Sequence, residues 1–380
     1  MRVMMLRLAR PMMRLLGRDE RGAMGVLIAV LIGGGVLIGM GALAVDVGQI
    51  YQNRAELQNG ADAGALAVAE SCALGTCTTG IAGQNATGNA SQLTGNNAAV
   101  DLVCGSGTGM SACPSSTGAP YNCPANPPAG TNYVDVHTST LTASGSTLLP
   151  PVFARTLTGN SGYQGTNVKA CAQAEWGAPT SATTIAYTIS ACSWYVYTNN
   201  GTSFAPPPPY PPNPLPAPSF DHILFEHGSQ GSKTTGCPPY QPSGQDAPGN
   251  FGWTNDSGNC STVISNGSYG GNTGASASGD CQTVIQTAWA NKTIVYLPVY
   301  SAISGTGNNV SYTLLGFAAF VITGYRITGS FHANDWLNSA NNCKGNNFCI
   351  DGYFTQGLIP STGGLGGGKG LGASIVKLTG

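Results

Sequence analysis

The densest group of titratable side chains beyond the N-terminal stretch lies in the segment FDHILFEH, where Asp221-His222 and Glu226-His227 form two acid–histidine pairs. Such pairs can ligate a metal ion or transfer protons. Catalysis would also need a nucleophile and an orienting group, and no hydrolase elbow of the required spacing accompanies these pairs. We expect an exposed amphipathic turn here, with metal ligation and proton transfer as the alternatives.

Twelve cysteines are the second group with chemical potential. Their number is even and none lies in the apolar N-terminal stretch, which is the pattern of disulfides in an oxidising compartment. The pairs Cys72/Cys77 and Cys343/Cys349 are close enough in sequence to form local bridges. No Cys-x-x-Cys motif is present and the four histidines stand apart from the cysteines, so we expect no zinc site and no cofactor.

The longest uncharged stretch runs from Ala23 to Val45, with Leu31 inside it. As a helix it would be about 35 Å long, enough to cross a hydrocarbon core of about 30 Å. The sequence therefore predicts a transmembrane helix over 23–45. A signal peptide cleaved after Ala44 is the alternative, because Ala42-Leu43-Ala44 is a small-x-small site.

Charge sets the orientation of this segment. Lys and Arg residues near a span stay cytoplasmic. The basic residues before the span are Arg2, Arg7, Arg10, Arg14, Arg18 and Arg21. We therefore expect a cytoplasmic basic head over 1–22, a single-pass protein of the cell membrane, and an extracytoplasmic remainder. No basic run follows the span, which argues against a nucleic-acid partner.

The helical pattern continues past the predicted span, over 46–71. One apolar stripe recurs at three- and four-residue steps: Val47, Ile50, Leu57, Ala61, Ala65 and Val68. Arg54, Glu56, Gln58 and Asp62 lie off this stripe, and Asp46 would mark the outer edge of the membrane. The stripe packs either on the protein's own outer domain or on another subunit.

The composition of the chain after the predicted span indicates a loop-rich and β-rich outer region. Charged residues make up only 8 % of the chain, and 55 residues are glycine. Residues 72–204 are rich in Gly, Ser and Asn, and 219–380 carry the strongest strand patterns, above all Thr293–Tyr300 and Val310–Thr328. Between them, the proline-rich segment 205–218 predicts a stiff, extended spacer or a surface loop. The fold class is α+β, with a long N-terminal transmembrane helix that continues outward into a β-rich, loop-rich, disulfide-containing extracytoplasmic domain.

Several features of residues 18–71 occur together. A basic head passes through Arg21-Gly22-Ala23 into a glycine-rich span, and Val45-Asp46-Val47-Gly48, Tyr51 and Leu57-Gln58-Asn59 follow before Ala61-Asp62-Ala63. This stretch resembles the Flp-pilus assembly TadE/TadG-like family. The resemblance implies a membrane-anchored, non-enzymatic structural or assembly component of a Tad-like (Flp) pilus or related secretion apparatus. Its partners would be the membrane and other pilus or secretion subunits, contacted through the N-terminal helix.

Two family features are missing. Prepilin-type cleavage follows a Gly and needs Glu five residues later, but Leu27 and Val30 occupy those positions. We therefore expect a permanent anchor. The metal site that some relatives carry needs Asp-x-Ser-x-Ser, and Asp135-Val136-His137-Thr138-Ser139 departs from it. The alternative functions are a cell-surface adhesin or binding module on a membrane anchor and, with less support, an exported hydrolase.

Overall fold

The computed structural model describes residues 19–90, 97–114, 121, 123–153, 164–227, 251–265, 267–272, 278–305, 309–327, 330–340, 343, 348–360, 363–366 and 370–379. It shows an α+β protein in which two extended sheets follow an N-terminal pair of helices. The predicted α+β class and β-rich outer region are confirmed.

The N-terminal helices are α1 (Asp19–Gly33) and α2 (Val36–Ala73). Between them Gly34 and Gly35 form a turn, with Gly35 in the left-handed region at φ 71°. Glycine adopts this conformation without steric cost and is a poor helix former, so three successive glycines break the helix here. The prediction of one unbroken transmembrane helix over 23–45 is therefore wrong. Among the described residues, no helix is both long and apolar enough to cross a membrane.

The other elements alternate short helices with strands. In chain order they are α3 (Ile81–Ala90), β1 (Asn97–Gly105), β2 (Asn132–Leu141), β3 (Lys169–Gly177), β4 (Ser181–Ile185), β5 (Tyr187–Ser190), α4 (Ala191–Tyr197), β6 (His222–His227), β7 (Phe251–Thr254), β8 (Ser261–Ser265), β9 (Ser268–Asn272), α5 (Gly279–Asn291), β10 (Ile294–Ser304), β11 (Val310–Arg326), β12 (His332–Ala333), β13 (Phe348–Thr355), β14 (Gly357–Leu358) and β15 (Ala373–Leu378).

The first sheet has five strands in the order β1-β2-β3-β15-β14. Helices α2 and α3 lie against it and bury small apolar residues between them and the strands. The last strand of the chain, β15, pairs antiparallel with β3, so that Lys377 lies opposite Glu175. Helix α2 and the late strand β15, which are far apart in sequence, therefore meet at this sheet.

The second sheet has eight strands and is organised around the 17-residue strand β11. The start of β11 pairs with β9, its length pairs with β10 and its end pairs with β13. Because β10 also pairs with β5, strands β10, β5, β7, β9 and β11 form a closed ring. Ile189, Leu297 and Phe320 are fully buried in its core. The strand signals at 293–300 and 310–328 correspond to β10 and β11.

The proline-rich segment folds back on β13 instead of extending away. The backbone N–H of Ala205 donates to the carbonyl of Phe354 at 3.0 Å, and the Thr355 hydroxyl donates to the carbonyl of Ala205 at 2.7 Å. Further along, Tyr210 is hydrogen-bonded through its hydroxyl to Tyr353. Of the two predicted alternatives, a stiff spacer and a surface loop, these contacts favour the loop.

Candidate assembly surface on the N-terminal helices

Helix α1 and the first turns of α2 expose a continuous run of large apolar side chains. Val45, predicted as an anchor residue, is 50 % exposed, and Leu31 is partly buried; the side chain of Ala23 lies outside the described residues. We call this run the N-terminal apolar surface. Its members are Met24, Val26, Leu27, Ile28, Val30, Ile32, Val36, Met40, Leu43, Val45, Val47 and Tyr51. A contiguous apolar area of this kind marks contact with a membrane or with another protein.

The second half of α2 is packed differently. Leu57, Ala61, Ala65 and Val68 are all at most 2 % exposed. The last three contact apolar residues on the inner face of the first sheet, among them Val136. This part of the predicted stripe therefore packs on the protein's own outer domain.

The buried face shifts by one position near the start of the stripe. Val47 is 42 % exposed, whereas its neighbour Asp46 is 7 % exposed. Glu56, expected off the stripe, is buried, and Ile50 is partly buried against the cluster around Leu57. Polar residues therefore lie on the buried face of α2 at the point where the N-terminal apolar surface ends.

Asp46 is held by a distant loop. Its Oδ1 accepts hydrogen bonds from the backbone N–H groups of Val152 at 2.8 Å and Phe153 at 3.1 Å. Hydrogen bonds to a charged acceptor are stronger than neutral ones, and they offset the cost of removing this carboxylate from water. The site joins the outer domain to α2 at the point where the exposed surface ends.

Small residues bring α2 and α3 into close contact. A Cβ added at Gly60 would lie 2.7 Å from the Ala86 carbonyl oxygen, and one added at Gly64 would lie 3.2 Å from that of Ala82. Four-residue spacing of glycines on one helix and alanines on the other lets the two backbones approach. Helix α3 therefore lies beside the docked half of α2, and both helices pack on the first sheet.

A disulfide closes the end of α2. Cys72 is joined to Cys77, and Cys343 is joined to Cys349. Three further bridges are Cys104–Cys113, Cys123–Cys171 and Cys260–Cys281. Cys192 is also disulfide-bonded, and Cys237 lies outside the described residues. Most of these bridges join chain segments within one sheet or its adjoining loops, so they stabilise the outer region.

The acid–histidine segment forms the edge strand β6 instead of the expected turn. Asp221 is buried and accepts from the Thr323 hydroxyl at 2.6 Å. The His222 ring stacks on Tyr197 with centroids 4.4 Å apart, and burial lowers the pKa of His222. The side chains of Glu226 and His227 lie outside the described residues. The described pair is thus engaged in packing and hydrogen bonding.

A group of metal-binding residue types surrounds His137 on β2. The Cys123 sulfur lies 3.3 Å from His137 Nε2, and Cys171 is adjacent. The two sulfurs form a disulfide, and metals bind thiolates. Ser139 donates to Asp101 at 2.8 Å, so the Asp135–Ser139 stretch carries structural contacts. These residues therefore do not form a metal site in the oxidised protein.

Sequence reasoning missed two buried acids. Burial raises the pKa of Asp135 to about 6 and that of Asp351 to about 7. Each belongs to an alternating strand pattern, but the neighbours that remove it from water come from distant segments. No local sequence signal identifies such an environment.

Comparison with known proteins finds a family match that covers most of the N-terminal helices α1 and α2. Residues 22–71 match the family model described as putative Flp pilus-assembly TadE/G-like. The match begins within α1 and ends in the last turns of α2, so it covers the N-terminal apolar surface together with the docked half of α2. The resemblance inferred from the sequence is confirmed for this segment. No curated protein and no solved structure matches the chain.

Proposed function

We propose that the chain is a non-enzymatic component of a Tad-like (Flp) pilus or a related secretion apparatus, anchored in the cell membrane through its N-terminal helices. In this proposal the anchor is the pair α1 and α2 together and not one unbroken helix, with the N-terminal end cytoplasmic and the two sheets in the extracytoplasmic space. The N-terminal apolar surface is the observation that carries this proposal, because it coincides with the segment that matches the pilus-assembly family.

The division of α2 into two halves supports the choice of contact surface. Residues such as Ala61 and Val68 are already buried against the protein's own sheet. The membrane and partner subunits therefore meet the exposed half, from Met24 to Tyr51. An exposed large apolar side chain loses about 1.5–3 kcal/mol of unfavourable hydration when it is fully covered.

The chemistry of the outer region supports an extracytoplasmic location. Its disulfides persist in oxidising compartments. Scarce charge and abundant glycine also suit a stalk or scaffold component better than a soluble cytosolic protein. Asp221 and His222, the best catalytic candidates in the sequence, are engaged in structural contacts, which favours a non-enzymatic role.

Charge insertion tests the proposal. Val30→Arg and Leu43→Arg each place a cation in the N-terminal apolar surface, where a charge at the centre of a lipid-facing helix costs about 2.5–3.5 kcal/mol. Gln52→Arg adds the same side chain at an exposed polar position on α2 and serves as the control. Full-length variants are produced in the native host, membranes are extracted with alkaline carbonate, and surface pili are counted.

The expected result is that wild-type protein and Gln52→Arg stay in the extracted membranes and support pili. The two apolar-surface variants are expected to appear in the supernatant and to reduce pilus number. Release of the wild-type protein by carbonate would overturn the membrane anchor. Wild-type pilus numbers with both Val30→Arg and Leu43→Arg would overturn the assembly role.

A further inference from the structure

An open groove of about 430 Å³ lies between α5, the strand pair β4–β8 and the start of β10. None of its lining residues belongs to α1 or α2, so it is separate from the N-terminal apolar surface. Its volume is within the range of small-molecule sites, about 300–1,000 Å³.

The lining of the groove is neutral and rich in hydroxyl groups. Exposed hydroxyls come from Thr183, Thr287 and Thr293, and a carboxamide comes from Asn259. Each hydroxyl offers one donor and two acceptor positions, and a carboxamide offers both functions. The described residues that line the groove include no charged side chain. A ligand with many neutral hydroxyl groups would match this lining, whereas a charged ligand would find no counter-ion.

The groove wall also contains strained backbone. Asn259 and Cys260 are successive non-glycine residues with φ of 56° and 53°. Their left-handed conformation is uncommon outside glycine and is found preferentially at ligand clamps and active sites. The disulfide from Cys260 to Cys281 holds this wall against α5.

We propose that this groove binds a neutral saccharide. Its hydroxyl groups contact the exposed side chains of Thr183, Thr287, Thr293 and Asn259, and the half-buried side chain of Val284 contacts the C–H face of a sugar ring.

Binding is measured by saturation-transfer difference NMR on the full chain in detergent. The probes are N-acetylglucosamine and the methyl glycosides of glucose, galactose and mannose. Thr287→Glu places a larger, charged side chain in the groove from an exposed position of α5. Gln286→Glu is the control, because it places the same side chain on the preceding residue, which does not line the groove. We expect transfer to at least one probe with wild-type protein and Gln286→Glu, and its loss with Thr287→Glu. Absence of transfer to all four probes, or unchanged transfer with Thr287→Glu, would overturn the proposal.

Discussion

Asp46 and Val152 are joined by a 2.8 Å hydrogen bond from the backbone N–H of Val152 to the Asp46 carboxylate, although they lie 106 residues apart in the chain. Phe153 donates to the same carboxylate at 3.1 Å. The contact lies where α2 changes from an exposed apolar helix to one that is packed on the first sheet. It therefore fixes where the outer domain meets the N-terminal apolar surface.

Replacing this acceptor should loosen the junction. We expect Asp46→Ala to lower the free energy of unfolding of the outer domain by about 1–3 kcal/mol, since two part-buried hydrogen bonds to the carboxylate are lost. Asp46→Asn should cost less, because the amide oxygen still accepts. Urea unfolding in detergent measures both, with Gln52→Ala at an exposed position of α2 as the control. A loss with Asp46→Ala no larger than that of the control would show that the contact does not stabilise the domain.

Glycine-to-alanine changes on α2 should have opposite effects at two positions. At Gly60 the new Cβ would meet the Ala86 carbonyl oxygen at 2.7 Å, so α2 and α3 must separate, at a cost of about 1–3 kcal/mol. At Gly48 a Cβ meets nothing within 4 Å, and alanine should add about 0.5–1 kcal/mol through its helix propensity. Thermal unfolding distinguishes them, and equal midpoints for the two variants would contradict the tight helix contact.

Stability should fall as pH rises through the range where Asp351 ionises. Its pKa is raised from 3.8 to about 7, because burial outweighs the lowering effect of a hydrogen bond from the Cys343 backbone N–H, and the nearby charge of Asp335 adds a smaller upward shift. Because the folded state holds this proton more tightly than the unfolded chain does, the stabilisation is complete below about pH 4 and is lost as pH rises to about 7. Urea midpoints recorded across this range measure the effect.

The variant Asp351→Asn separates the contribution of Asp351 to the pH dependence from that of Asp135. Asp135 shifts in the same direction but only to about 6, so the decrease in stability between about pH 6 and 7 belongs mainly to Asp351. We expect the variant to be more stable than the wild type at neutral pH and to lose the downward slope in that interval, where the lowered pKa of His222 gives any remaining slope the opposite sign. Asp280→Asn, at an exposed position in the first turn of α5, should keep the wild-type slope. An unchanged slope in Asp351→Asn would refute the assignment.

Local periodicity predicted the elements that have long, regular patterns. The spacing of Leu57, Ala61, Ala65 and Val68 identified the packed face of α2, because burial on one side imposes helical periodicity. The same periodicity misplaced the face at Val47, since a buried carboxylate at Asp46 is stabilised by a loop that no local pattern reveals. The break at Gly35 follows from three successive glycines, whose low propensity outweighed the apolar run.

The missed elements depend on contacts between distant segments. Helix α3 has few strong helix formers, and its alanines at positions such as Ala82 and Ala86 become meaningful only against Gly60 and Gly64 of α2. The groove beside α5 likewise depends on the approach of β4, β8 and β10, which lie far apart in sequence. The sequence alone does not show which distant segments lie next to one another, so it does not reveal such sites.

Photo-crosslinking at matched positions tests the central claim most directly. A photoreactive residue replaces Met40 in the N-terminal apolar surface or, as the control, Val263 on β8; both native side chains are 67 % exposed. After irradiation of the native host, adducts are identified by mass spectrometry. The account predicts adducts with membrane lipid and with subunits of the pilus machinery from position 40 and none of these from position 263. Absence of both kinds of adduct at position 40, or the same adducts from both positions, would contradict it.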